Sequence, residues 1–276
     1  MQSITDDLRN KLTNAIGNDE LVLPTMPEVA LQVKQEAEDD LATAASISRV
    51  IGSDAAMSAR IIKVANSPLL RGIKTVDDLQ MAISRMGLAY ACNLAIGIAM
   101  EQLFQATSEV VDKLMRDSWT HSTEVASISH VLCQHFTKLR PDQATLAGLV
   151  HAIGVLPILT YADDQDEWSE QVLTQVIDEL HPEMGSRILE AWDFPEELLD
   201  VPRQYLNFSR DNASTDYGDV VLVANLQSRS GTSHPLTQMD WSAVTAFDHL
   251  GLDPDVIWSE QEELSEDLAA ARDLLH

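Results

Sequence analysis

The chain has 276 residues, 45 % of them hydrophobic, with only 11 Gly and 10 Pro, which excludes a loop-rich or disordered polymer and allows one large core or two modest ones. Its 18 Lys and Arg face 44 Asp and Glu, a formal net charge of −26, and no basic run stands out, so direct binding to nucleic acid or to anionic lipid is disfavoured. Cys92 and Cys133 lie in separate apolar helical stretches and read as buried free thiols. With no leader-like start and no apolar run long enough to span a bilayer, the expected location is the cytoplasm.

Helix signals dominate from the first residues and strand signals are nearly absent. Ile4 to Ala15 reads as a short lead helix. Pro27 and Glu28 suit a helix first turn, followed by Val29, Val33 and Ala37, and Glu36, Glu38, Asp39 and Asp40 mark a solvated loop. Thr43 caps the next helix, which carries Ile47, Val50 and Ile51. Ser53 and Asp54 start another, with Met57, Ile61 and Val64 on one face, and Asn66, Ser67 and Pro68 stop it. Thr75 and Asp78 resemble a capping box ahead of Leu79, Ile83 and Met86, and Gly87 breaks that helix before an apolar one from Leu88 to about Phe104.

The second half opens with a helix from Ser118 to Phe136, with Val125, Ile128 and Leu132 on one face. Pro141 begins another that should run to about Tyr161, and Asp163, Asp164, Asp166 and Glu167 read as an acidic surface turn. Pro182 and Pro195 sit where helices could begin, which gives His181 a capping or surface role. Asp216 to Ser228 is apolar on one side, and Asp255 to Leu275 reads as an acidic, amphipathic terminal helix. Gly148, Ala152 and Gly154 suit close helix contact. Met57, Met81, Met86 and Met100 read as core filler. There is no Gly-rich phosphate loop and no nucleophile elbow.

Several of these segments together resemble the HDOD family, bacterial regulatory proteins related to the HD-domain metal-dependent phosphohydrolases. Leu23-Pro24-Thr25-Met26-Pro27 is similar to the family's opening element. Asp54 to Ser67, ending in Ala65-Asn66-Ser67, resembles its central helix, and Ala82-Ile83 with Met86-Gly87 matches the helix and break that follow. Leu146 to Gly154 resembles the segment holding the His-Asp pair of HD enzymes. His181 to Gly185 and Trp192 to Pro195 resemble a later helix pair.

The resemblance implies an all-α, multi-helix bundle. Its parts would be a lead helix over residues 1–20, an HDOD-type helical subdomain over 21–106, and a degenerate HD-like subdomain over 107–276 ending in the acidic helix. It also implies where metal ligands would stand: His121 as the first histidine, His151 as the histidine of the pair, Ala152 in place of its Asp, and Asn225 in place of the distant Asp. Two imidazoles remain while both carboxylates are gone, so no metal, no cofactor and no catalytic residue are expected.

The implied role is a non-catalytic signalling or regulatory module that binds a signalling protein or a small ligand. A nucleotide or cyclic-dinucleotide sensor using the vestigial cavity is one alternative. A divergent HD-type metal-dependent phosphohydrolase, borrowing a carboxylate from elsewhere in the fold, is another. Arg60, Lys63 and Asn66 are candidates for a partner or ligand surface. The competing readings are ion pairs to nearby acids for Arg60 and Lys63, and backbone capping for Asn66.

Overall fold

The computed structural model describes residues 2–18, 21–70, 74–163, 168–256 and 262–275, and among them the chain is helical with no β-strand. Its first half comprises α1 (Gln2–Gly17), α2 (Glu28–Ala37), α3 (Ala44–Ile51), α4 (Ala55–Ala65), α5 (Leu79–Met86) and α6 (Leu88–Ala99). The caps follow from the sequence. Thr43 and Ser46 close a reciprocal capping box on α3, and the Asp54 carboxylate accepts from Met57 N at 3.0 Å to start α4. The start of α5 is capped by Asp78 itself, which accepts from Met81 N at 2.9 Å, rather than by Thr75. Gly87 then turns the chain through 113° between α5 and α6 at φ 86°, a backbone conformation that only glycine adopts without strain.

The second half is built around α7 (Glu109–Phe136), a 28-residue helix about 42 Å long. Around it lie α8 (Pro141–Val150), α9 (Val155–Asp163), α10 (Glu170–Ala191), the short α11 (Glu196–Leu199) and α12 (Val201–Gln204), α13 (Tyr217–Arg229), α14 (Thr245–Leu250) and α15 (Glu262–Leu275). The helix expected from Pro141 to Tyr161 is two helices separated by a turn at residues 151–154. The run Pro141–Asp163 is long and apolar enough in composition to cross a membrane, yet 89 % of its most apolar window is buried inside the protein.

Other departures have local causes. Pro182 lies inside α10 and does not open a helix; its missing N–H costs a single rung in a helix held on both faces by neighbours. Met81 is exposed, while Met57 and Met100 are buried as core. Asp163 is the last residue of α9 and is tied down by hydrogen bonds. Its carboxylate accepts from Thr107 N at 2.9 Å, Thr107 Oγ1 at 2.8 Å and Ser108 N at 2.7 Å, and these bonds outweigh burial to hold its pKa down at about 2. Asp164, Asp166 and Glu167, the rest of that expected turn, lie outside the described residues.

The two halves are stitched at several points. In α6 nearly every residue from Ala91 onward is buried, so it carries no polar face, and it lies between α2 and α8. Asn93 Nδ2 donates to the Asp142 carboxylate at 2.7 Å, and Trp192 Nε1 donates to Pro24 O at 3.0 Å, tying the Leu-Pro-Thr-Met-Pro segment to the end of α10. The terminal helix α15 lies on α7 through His135–Asp267 and Arg272–Glu124, both at 2.9 Å. Cys92 and Cys133 are free and buried.

Candidate functional site

Three helices and one turn bring the site together. His121 projects from the middle of α7, and Asn225 from α13 packed against it. The turn after α8 carries His151 and Ala152, and α10 carries His181. Two glycines set these spacings. A Cβ on Gly148 would stand 2.4 Å from the Cα of Ala126 in α7, and one on Gly154 would stand 1.9 Å from His181 O and 2.4 Å from Gly185 N. The end of α8 and the turn after it therefore lie directly on the backbones of α7 and α10, and only hydrogen at these positions permits the approach.

The resulting cluster is an aromatic and imidazole stack. The rings of His121 and His151 lie edge to face with centroids 5.6 Å apart, and His151 meets the Tyr205 ring in the same way at 4.6 Å. Hydrogen bonds fix the tautomers. His151 Nδ1 donates to Gly148 O at 2.6 Å, so its Nε2 keeps a lone pair, which is buried without a partner. His181 Nδ1 donates to Ile177 O at 2.6 Å, and its Nε2 accepts from the Tyr205 hydroxyl at 2.5 Å. His121 Nε2 donates to Asn225 Oδ1 at 2.9 Å, which leaves Nδ1 as its acceptor, and Asn225 Nδ2 is buried without a partner.

All three imidazoles are neutral. Burial pushes His121 down to about 2, with further lowering from His151 and Arg229 against the opposing bond to Asn225. Burial likewise takes His151 to about 3 and His181 to about 4, against the carbonyl bonds that favour their charged forms. A cavity of about 250 Å³ opens over this cluster. Its walls include His121, Ala152, His181, Tyr205, Arg229 and His234, and Asp117 and Asp178 also line it.

The structure thus brings together His121, His151 and Asn225, with Ala152 on the cavity wall. It also corrects the role expected for His181, which is 4 % exposed and bonded on both ring nitrogens instead of lying on the surface. Tyr205 and Arg229 were not singled out in the sequence. Arg229 could have been, since it follows Asn225 by four residues on one helix face; no local pattern points to Tyr205.

Arg60, Lys63 and Asn66 belong to a different region. Arg60 pairs with Glu101 and donates to Leu275 O at 2.7 Å. Asn66 closes the end of α4 by donating to Ile62 O and Val76 O and accepting from Val76 N, at 3.0, 2.6 and 2.8 Å. Lys63 is exposed.

The donor set does not fit a divalent metal. Ala152 offers a methyl group, Asn225 Oδ1 is engaged by His121, and His181 Nε2 is engaged by Tyr205. What remains is a lone pair on each of two rings, with a guanidinium on the same cavity wall. Asp117 and Asp178 line the cavity, but among the described residues no three His, Cys, Asp or Glu side chains are placed to share an ion.

Comparison with known proteins places this architecture. Residues 23–207 match the HDOD domain. A Treponema pallidum (strain Nichols) protein, described only as uncharacterized, is 23 % identical over 201 residues, or 67 % of this chain; the chain spans 38 % of that relative's length. A crystal structure from Shewanella amazonensis SB2B, named as a candidate metal-dependent phosphohydrolase, superposes with a TM-score of 0.89 at 29 % identity, covering 99 % of this chain and 100 % of that one. An HDOD domain protein of unknown function from Geobacter sulfurreducens shares the fold at a TM-score of 0.64 and 19 % identity, over 99 % of both chains. A candidate signal transduction protein from Marinobacter aquaeolei VT8 shares it at 0.62 and 19 % identity, over 99 % of this chain and 66 % of that one.

Proposed function

The chain belongs to the HDOD family, and we propose that it is a non-catalytic regulatory module that acts by binding, with a signalling protein as its partner and the cavity over His121 as its ligand site. The observation that carries this reading is the bond from His121 Nε2 to Asn225 Oδ1 at 2.9 Å. A carboxylate at that position would supply charge to a dication. The amide supplies none, and it spends its oxygen on the imidazole that would otherwise ligate. Ala152 removes the second carboxylate, and the neighbouring guanidinium of Arg229 adds a positive charge where a dication would have to sit.

The framework around this site is rigidly built, from the glycine contacts, the tautomer-fixing carbonyl bonds and the helix caps. A well-built scaffold without metal ligands suits a module that acts by binding. The cavity, at about 250 Å³, lies below the roughly 300–1,000 Å³ typical of sites for drug-sized ligands. A compact ligand suits it better than a cyclic dinucleotide.

Metal analysis of protein purified without chelator, with phosphomonoester and phosphodiester assays in added manganese, iron or zinc, tests the reading. The wild type should hold no stoichiometric metal and show no turnover. The double variant Ala152→Asp with Asn225→Asp should lose stability without metal, because it buries charge, and regain it when metal is added. Stoichiometric metal with turnover in the wild type would remove the proposal.

A further inference from the structure

Arg229 stands apart from the other described arginines that are not exposed. Arg9, Arg60, Arg116, Arg140, Arg187, Arg203, Arg210 and Arg272 each pair with a carboxylate, and Arg85 bonds backbone carbonyls. Arg229 makes no ion pair and no side-chain hydrogen bond with any described residue, although it is partly buried and its Nε is enclosed without a partner. Its place in the last turn of α13 suits the helix dipole but satisfies none of its five N–H donors. Asp117 and Asp178 share the cavity from exposed positions, and neither comes within 4.0 Å of the guanidinium.

The lining is therefore mixed in a particular way. Arg229 offers an unused, fork-shaped cationic donor. Opposite in character, His121 turns its lone pair away from Asn225, because the Nε2 proton is committed there. An oxyanion that still carries a hydroxyl hydrogen near neutral pH satisfies both groups at once. A simple carboxylate or a sulfate has the charge and lacks the hydrogen, whereas inorganic phosphate near neutral pH, and a phosphomonoester in the protonated fraction that persists around its second pKa of about 6, has both. The two exposed carboxylates would repel a more highly charged ligand, and the cavity of about 250 Å³ limits its size.

Resting on the binding-module reading above, we propose that the cavity holds a phosphate or small phosphomonoester, with Arg229 gripping its anionic oxygens and His121 accepting its hydroxyl hydrogen.

Thermal unfolding of the full chain in inorganic phosphate, methyl phosphate and sulfate, each matched in ionic strength to a chloride reference, tests this. Phosphate should raise Tm by about 3 °C once it exceeds its dissociation constant about tenfold, while sulfate should match chloride. A rise in methyl phosphate as well assigns the site to a phosphomonoester head group; a rise in phosphate alone assigns it to the free ion. Arg229→Gln should abolish the rise and Arg229→Lys should keep part of it, with circular dichroism showing both variants folded. Equal shifts in sulfate and phosphate, an undiminished shift in Arg229→Gln, or no shift in phosphate would each overturn the phosphate site. These outcomes are separable from failure of the module reading, which depends on metal and turnover in the wild type.

Discussion

At the scale of single residues, the three buried imidazoles link the site to stability. In an unfolded chain each would take up a proton near pH 6.5, whereas in the fold burial holds His121, His151 and His181 neutral down to about 2, 3 and 4. Below pH 6.5 the unfolded chain binds more protons. The stability contributed by these rings is therefore fully present above that pH and is lost as pH falls, by up to about 1.4 kcal/mol per pH unit for each ring. Urea denaturation at about pH 7.5 and about pH 5, a window above most carboxylate titrations, should show a clear fall in the midpoint. An unchanged midpoint would mean that the rings are not enclosed as described. The family resemblance implies that His121, His151 and Asn225 belong together, but not that His181 joins them. Pro182 looks like a helix start until the packing of α10 is known, and the Tyr205 hydroxyl that engages His181 arrives from 24 residues away.

At the scale of elements, the turn at residues 151–154 decides whether the site exists. Gly154→Ala would place a methyl group 1.9 Å from His181 O, against backbone that cannot swing aside. Overpacking of this kind costs about 1–3 kcal/mol or more, so Tm should drop by roughly 2–4 °C for each kcal/mol, with His121 and His151 forced apart. Gly17→Ala, where nothing lies within 4 Å, is the control and should leave Tm nearly unchanged. Most helices were legible because their caps are local: Thr43, Asp54 and Asp216 each bond an amide three residues on, whereas the helix expected from Ser118 begins instead at Glu109 behind a Ser108 cap. The division of Pro141–Asp163 into α8 and α9 was not legible. That stretch is mostly apolar with no change of period, and the break goes with close contacts to α7 and α10 that lie far away in the sequence.

At the scale of the molecule, α15 is held at both ends of its contact surface. His135 and Glu124 of α7 bond Asp267 and Arg272, and Arg60 of α4 reaches Leu275 O at 2.7 Å. Arg60→Ala removes that last tether together with the pair to Glu101. Amide hydrogen exchange in residues 262–275 should then speed up by about tenfold, the equivalent of roughly 1.4 kcal/mol of local stability. Exchange in α7 should stay as it was, and equal acceleration in both helices would mean that Arg60 supports the whole core instead of its terminal helix.

The buried apolar cluster runs unbroken from Leu8 in α1 to Leu275 in α15, through α6 and α8 where the halves meet. No cleavage plane separates it into two independently solvated globules. Heating should therefore give a single calorimetric endotherm whose measured enthalpy equals its van't Hoff value. Occupancy of the cavity in the second half would then shift the melting of helices in the first, with no hinge needed to carry the effect.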